Sequence, residues 1–516
     1  MRKEIMDDQT NIALISLYST DAIGLRYLKA ALSHGGHEAP LICFKEKHLT
    51  SDLMTPPTER EFDLLMDVLK KRRPKVVGIS LRSSFFRIAC TITERVRKEL
   101  SVPVIWGGTH PTVAPEESMK VADMICIGEG EYPLLELAEK LSASEDFTHI
   151  RNLWVRRNGE IIRNEVRSLS QDLDALPFPS YGGPDNYFIE NDEISSEDPG
   201  LKTYNLNIMA SRGCPYHCSY CCNSVFEALY QGKGRRVRRR SVENVMDEIH
   251  FLRSRFPNVK RIDFIDEVFA WDKEWTRRFT ERYKKEVGLP FQCAQHPNMV
   301  DKDTLVLLKD AGLERVEVGV QSGSERIRKG YFERPVPNAK LQQTAQFLKE
   351  MGIVPFYDFI VDNPFETEED QREGLEFLLS FPRPFHLHVF SLIYFPNTVI
   401  TKRALESGLI SENQIEGNAE QTFDQMFVTL RYPRPKRGQF WISLYSMASK
   451  SFIPKALIRW LSRSKFLREH PKPLIIFADL ANTFKLGLIA IKWLLEGKPV
   501  FSTLRQTAKR GASPIV

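Results

Sequence analysis

Cys214, Cys218 and Cys221 share one short loop, Ser211-Arg212-Gly213-Cys214-Pro215-Tyr216-His217-Cys218-Ser219-Tyr220-Cys221, at a C-x3-C-x2-C spacing. Thiols so spaced can face a single cluster. Three thiolates satisfy three irons of a [4Fe–4S] cube and leave the fourth iron open to a small ligand, whereas a closed electron-transfer cluster needs a fourth cysteine in comparable reach. Cys222 is adjacent in sequence and points elsewhere if Cys221 is a ligand. The alternative is a zinc loop or a set of buried thiols. Structural zinc takes four ligands, commonly as two C-x2-C-like pairs, and the sequence offers no second pair.

With aromatic Tyr220 before the last cysteine, the loop resembles the signature of radical S-adenosylmethionine (SAM) enzymes. The resemblance implies a [4Fe–4S] cluster whose open iron chelates the amino and carboxylate groups of SAM.

Around this loop the hydrophobic pattern reads as alternating strands and helices. Strands are expected at 205–210, 261–265, 291–295, 315–320, 354–361 and 386–392, with helices at 244–253 (Ser241 as N-cap), 305–311 and 340–351. Six such units make a partial (β/α)6 barrel, whose active residues come from the carboxyl ends of strands. Asp266-Glu267, Gln321-Ser322 and the 362–367 turn occupy those ends. The order from about 204 to 400 resembles the radical SAM core. That resemblance implies Asp266 and Glu267 near the amino end of SAM, and Gln321 and Ser322 near its ribose. The family often has Glu-Ser at the latter site; an amide can still bond a hydroxyl, but without charge. Asp362 and Phe365 stand where glycines are usual before Glu366. A carboxylate at a strand end can equally be the N-cap of the next helix.

The first part of the chain has the same alternation. Apolar runs at 11–17, 76–81, 102–106 and 124–127, with helical stretches between them, predict a doubly wound, Rossmann-like parallel sheet whose ligand sits outside the strands' carboxyl ends. Ser80, Gly107-Gly108-Thr109-His110 and Gly128-Glu129-Gly130-Glu131 fall at those ends. Glycine there lets backbone approach a ligand. These phrases resemble the N-terminal domain of cobalamin-binding radical SAM enzymes over nearly all of 10–140. The resemblance implies cobalamin against Ser80, Gly107, Gly108, His110, Gly128, Glu129 and Gly130. The D-x-H-x-x-G motif that gives cobalt a histidine elsewhere is absent, and in this family cobalt is typically held without it. A Rossmann-like fold lacking a ligand is the structural alternative.

Between these parts, Asn158-Gly159 signals a hairpin, and 151–203 reads as a connector, an ordered strap at first and a mobile loop near Ser195. The basic run 232–240 reads equally as a solvated loop or a patch for an anionic substrate, cofactor phosphate or electron donor. Aromatic residues are not interleaved with its charges, so nucleic acid is not expected. From Arg431 onward, 17 Lys/Arg face three acids, a balance of +14 that leaves −9 on the first 430 residues of a chain with net charge +5. Residues 441–467 read as helix broken near Pro454. Residues 474–495 are strongly apolar but interrupted by Asp479, Lys485 and Lys492, a poor spanning helix. Lys485, Lys492 and Glu496 fall on one side of an ideal helix, leaving a broad apolar face for the barrel or for an anionic membrane interface. The expected division is 1–150 cobalamin-binding, 151–203 connector, 204–425 radical SAM partial barrel and 426–516 basic helical module.

At 516 residues the chain has room for two or three full cores. Eight cysteines, four of them scattered singly, form no disulfide framework, and residues 1–11 are polar with no sign of a signal peptide. A reducing, cytoplasmic setting is expected, with peripheral contact at the inner membrane face as the variant the basic tail suggests. The resemblance implies a methyltransferase for an unactivated carbon, using a 5′-deoxyadenosyl radical and methylcobalamin. Its partners would be a small molecule, such as a lipid, isoprenoid or tetrapyrrole, and a reductase, ferredoxin or flavodoxin as electron donor. Rivals are a ring-forming or oxidative enzyme of the anaerobic porphyrin cyclase kind and a non-catalytic iron–sulfur or cobalamin sensor. A methylthiotransferase would need three more clustered cysteines, and Cys43, Cys90 and Cys126 are dispersed.

Overall fold

The structure is a computed structural model that describes residues 10–46, 55–413, 415 and 434–495. Its first sheet takes β1 (Ile12–Leu17), β2 (Leu41–Phe44), β3 (Val76–Ser80), β4 (Val104–Gly107), β5 (Met124–Cys126), β6 (Leu153–Arg157), β7 (Glu160–Arg163), β8 (Asn186–Glu190) and β9 (Glu193–Ser195) in the order β7-β6-β5-β4-β3-β1-β2-β8-β9. β1 to β5 and β8 are parallel, whereas β6, β7 and β9 run antiparallel to their neighbours. Every residue of β1 is buried, as a strand covered on both faces requires. One face packs beneath Ile23–His34 and Glu131–Ser142, the other beneath Glu59–Arg72 and Phe86–Glu99. The order reverses at β1, so the switch-point crevice lies between β1 and β3.

The expected connector is part of this sheet. Asn158 and Gly159 both take positive φ and close the β6–β7 hairpin onto β5. β8 joins β2, and the residues around Ser195 pair as β9 rather than forming a loop. Two acids of this stretch, Glu190 and Asp198, act as buried counterions. Asp198 takes a bidentate pair from fully buried Arg26 at 2.7 and 2.8 Å, and Glu190 and Glu61 both accept from buried Lys45.

The second sheet is all parallel and in sequential order: β10 (Asn205–Ile208), then, beyond the small antiparallel pair β11 (Ser211–Arg212) and β12 (Arg238–Arg239), β13 (Arg261–Phe264), β14 (Phe291–Gln295), β15 (Leu313–Gln321), β16 (Val354–Val361) and β17 (His386–Ser391). Each of the six is followed by a helix, giving the open six-unit arrangement expected. Ser241 caps Val242–Arg253 by accepting from Asn244 N–H, and Thr367 with Asp370 forms a capping box on Glu368–Ser380. The C-terminal helices Lys436–Ala448, Lys455–Ser462, Lys465–Glu469 and Lys472–Leu495 join the core of this second sheet through Trp441, Tyr445, Ile458, Leu474 and Ala478. Pro454 caps the second of them, which is the break expected there. Among the described residues no helix is long and apolar enough to cross a membrane. Glu496 and the side chain of Lys492 lie outside the described residues.

Candidate functional site

The cysteine loop is held by the β11–β12 pair, which places Arg212 opposite Arg238. Gly213 must be glycine: its φ is +90°, and a Cβ would run into the Arg236 carbonyl. Beyond it, Cys221 N–H donates to Cys218 C=O at 3.0 Å, and Ser219 N–H donates to Phe332 C=O at 3.0 Å, fixing the loop on the segment after β15. Cys218 is buried and accepts from Arg334 Nη1 at 3.5 Å, while Arg334 Nη2 holds Gly319 C=O at 2.9 Å. Burial pushes the Cys221 thiol up to about 12 and also raises Cys214 and Cys222. In a protein-only setting these thiols stay protonated; a bound metal's charge reverses that balance. Among the described residues no three His, Cys, Asp or Glu side chains converge on a single ion. A cube takes one thiolate per iron, so its three ligands need not converge on a single ion. Cys222 stands at the N-cap position of the helix Asn223–Leu229, where its side chain makes no capping bond.

Facing this loop is a cavity of about 380 Å³. One wall is the carboxyl edge of the first sheet: Ser80, Gly107 and Gly108, with the Gly128-Glu129-Gly130 turn. The other wall brings Gly213, Cys214, Tyr230 and Glu267 from the second half. Leu14, Leu25, Leu28 and Ile79 make much of its lining apolar. A Cβ at Gly107 would meet nothing within 4 Å and would project into open space, so this wall is a cradle that a side chain would fill. Cobalamin fits such a cradle.

Gly108 serves a different purpose. Its φ is +94°, and a Cβ there would lie 2.9 Å from Leu81 C=O, so it is required by the turn itself. Gly128, at φ +79°, lies under the Tyr230 hydroxyl, and Glu129 N–H donates to that hydroxyl at 3.3 Å. His110 is turned away from the cavity. It is 1% exposed, its Nδ1 lies 3.0 Å from Ser83 Oγ, and burial lowers it to about 4, so a neutral ring pins its segment against Ser83 and Phe86.

Glu129 is an ion-pair partner. Arg238 donates to its carboxylate at 2.7 and 2.9 Å and Arg212 at 3.3 Å, while Arg212 also reaches Glu131 at 2.6 Å. Burial opposes the Glu129 charge, but hydrogen bonds from Arg238 and the Arg212 charge outweigh it and hold the carboxyl below its usual range. Two arginines of the cluster hairpin thus clamp two glutamates of the cobalamin-side turn. The sequence offers Arg238 only as part of the basic run and gives Arg212 no role, although Arg212 stands two positions before Cys214. Most of the basic run is likewise neutralised internally: Lys233 by Glu165, Arg236 by Glu227, Arg239 by Asp272 and Arg240 by Glu248. A patch for an anionic partner is therefore not what these charges form.

The remaining candidates divide. Asp266 is 3% exposed and accepts from Ala210 N–H at 3.2 Å and from Ser211 Oγ. It ties β13 to the hairpin rather than facing the cavity, and burial lifts it to about 7. Glu267 does face the cavity, its carboxyl raised by burial. Tyr220 packs against Phe332 at 4.9 Å, beside the loop rather than in the cavity. Gln321 takes φ +69° and folds its amide back over Gly319. Ser322 is buried and donates to Glu366 at 3.1 Å; burial pushes Glu366 up to about 8, so it keeps its proton near neutrality. Sequence reasoning also missed His296, 3% exposed, stacked on Tyr216 of the cluster loop at 3.4 Å.

Comparison with known proteins meets this geometry at both halves. The B12 binding domain model matches residues 13–138 and the Radical SAM superfamily model matches residues 208–378. The chain belongs to the cobalamin-binding radical SAM enzymes. Its cofactors are accordingly a [4Fe–4S] cluster, SAM and cobalamin. An uncharacterized methyltransferase of Pyrococcus horikoshii is 26% identical over 394 residues, covering 75% of this chain and 79% of the relative. An anaerobic magnesium-protoporphyrin IX monomethyl ester cyclase of Synechocystis sp. is 24% identical over 403 residues, covering 75% and 74%. Among solved structures, the radical SAM methyltransferase TsrM of Kitasatospora setae, with cobalamin and a [4Fe–4S] cluster bound, superposes with a TM-score of 0.61 at 17% identity, covering 92% of this chain and all of that one. That likeness shows a shared fold.

Proposed function

We propose that this enzyme methylates an unactivated carbon of a small molecule. One observation carries the reading: the carboxyl-edge glycines of the first sheet and the Cys214 hairpin line the same cavity. When bound, the cluster with SAM and cobalamin supply reductive SAM cleavage, hydrogen removal from the substrate and a transferable methyl group. Cys214, Cys218 and Cys221 hold the cluster, and Arg334 fixes the Cys218 sulfur while staying anchored on Gly319. Ser80 and Gly107 take cobalamin against the sheet edge, with Gly128 and Gly130 keeping the adjacent turn close. Glu267 meets the amino end of SAM. The Ser322–Glu366 pair shapes its ribose side, with Glu366 protonated. The two clamping arginines set the distance between the halves, a positioning role that matters because misplacement by about 1 Å can cost on the order of 100-fold in rate.

The substrate class proposed is a lipid, isoprenoid or tetrapyrrole, and a reductase, ferredoxin or flavodoxin supplies the electron. The proposed division of labour is a cobalamin-binding part, extended by its β6–β9 strands, a radical SAM part from about 204, and the C-terminal helices. The test is anaerobic incubation of reconstituted enzyme and reductant with methyl-deuterated SAM and a cell lipid extract, followed by mass spectrometry. Deuterated methyl on a carbon of one extract component is the expected result. SAM cleavage with a product that has gained a ring or lost hydrogen, and no methyl, would refute methylation in favour of cyclase-type chemistry; no cleavage at all would leave only a sensor.

A further inference from the structure

The helix Lys472–Leu495 separates the two roles that its apolar sequence left open. Leu474, Ala478 and Ala481 are buried in the core shared with the second sheet, and Lys436–Ala448 is the helix they pack on. On the opposite side, Ile476, Leu480, Phe484 and Leu488 recur every fourth position and are 60, 63, 56 and 46% exposed. Phe477 widens this stripe, and Phe452 joins it with its ring 5.2 Å from that of Phe484. Trp460 and Phe466, on the two preceding helices, are 68 and 64% exposed. Of the fifteen exposed large hydrophobic side chains among the described residues, eight thus fall in residues 452–488, so the exposure is concentrated rather than scattered.

The exposed charge near the stripe is mostly basic, with Glu469 as the exposed acid among it. Arg463, Lys465 and Lys472 are exposed and, among the described residues, lack an acidic partner, unlike Arg459 and Arg468, which are taken by Glu376 and Glu368. We propose that this face is a docking surface for an anionic lipid bilayer, with the Lys472–Leu495 helix lying in the plane of the interface. The helix suits that position because it carries an exposed apolar stripe but is not apolar enough to span. A second copy of this chain is the less favoured occupant, because the exposed charges there, Arg463, Lys465 and Lys472 against Glu469, are basic on balance and would repel their counterparts across a twofold contact. This proposal is independent of the reaction proposed above.

The experiment is sedimentation of the full-length, cofactor-loaded protein with vesicles of phosphatidylglycerol and phosphatidylcholine, against vesicles of phosphatidylcholine alone, at low and raised salt. Binding to the first kind only, weakened by salt, is expected. Arg463→Gln with Lys465→Gln and Lys472→Gln should weaken it about fivefold per side chain, about 100-fold together. Ile476→Ser with Leu480→Ser and Phe484→Ser should abolish it with only a small loss of thermal midpoint, since all three side chains are more than half exposed. Absence of parent binding to the anionic vesicles, or equal binding to both kinds, overturns the proposal. So does a dimer in analytical ultracentrifugation that the apolar variant dissociates while vesicle binding is unchanged.

Discussion

Arg212→Met tests the clamp between the two halves. Arg212 reaches Glu131 at 2.6 Å, with the two side chains only 16 and 9% exposed, and Glu129 has Arg238 as a second cation. Removing the guanidinium therefore strands Glu131 while leaving Glu129 paired. Breaking a buried ion pair from one side costs about 3–5 kcal/mol, because an uncompensated charge remains. Residual solvent contact at both ends argues for the lower figure, about 3 kcal/mol. Adding Glu131→Gln removes the stranded charge, so the double variant should regain most of the loss, with a coupling of about 2 kcal/mol or more in the cycle. Urea unfolding followed by circular dichroism measures this, and cobalamin and iron retained per protein report whether the two halves separate. Acid should erase part of the clamp. Glu129 is held below its usual range, so its contribution is complete above the unfolded carboxylate value of about 4.3 and is lost as pH falls through the lower folded value. The reasoning is refuted if Arg212→Met unfolds within about 0.5 kcal/mol of the parent, or if the double variant is no more stable than the single one.

Further outcomes follow from the same geometry. Cys214→Ala, Cys218→Ala and Cys221→Ala should each abolish an intact [4Fe–4S] spectrum and SAM cleavage, whereas Cys222→Ala keeps both; full iron content in Cys218→Ala would overturn the ligand set. Gly107→Val should expel cobalamin, read by absorbance, with little change in thermal midpoint, because its side chain enters the cavity. Gly108→Val should instead lower stability by about 1–3 kcal/mol through strain at φ +94° and contact with Leu81, and equal behaviour of the two variants counts against the distinction. Glu366→Gln should be tolerated near neutrality. The parent's Glu366 folds with its pKa raised to about 8, so parent stability declines as pH rises from the unfolded value of about 4.3 toward 8; the variant should lack that decline in thermal midpoints across pH 5–8.

The cysteine loop and the alternating strands were legible because each depends on local pattern: thiol spacing, buried apolar runs and the Asn158-Gly159 turn. Long-range charge pairing was not. Nothing local marks Asp198 as the partner of Arg26, 172 positions away, so the stretch near Ser195 reads as a mobile loop although Asp198 and Glu190 tie it to the first sheet. The basic run 232–240 failed for the same reason, since its neutralising carboxylates come from Glu165, Glu227, Glu248 and Asp272. His110 and Asp266 show the reverse error. Each stands at a strand end, where function concentrates, yet each is turned inside the fold, His110 by its Nδ1 on Ser83 and Asp266 by both oxygens on Ala210 and Ser211.

The clamp explains why the two halves need each other. A cradle at the switch point of the first sheet sets the depth of a ligand but not its distance from the cysteine loop. The β11–β12 pair supplies that distance, because the same two-residue strands that launch the loop present Arg212 and Arg238 side by side to Glu129 and Glu131. A second buried contact repeats the link farther back, where Arg240 and Tyr27 both reach Glu248, joining the first helix of one half to the first barrel helix of the other. With two such ties on one side of the cavity, rotation between the halves about either contact is resisted by the other.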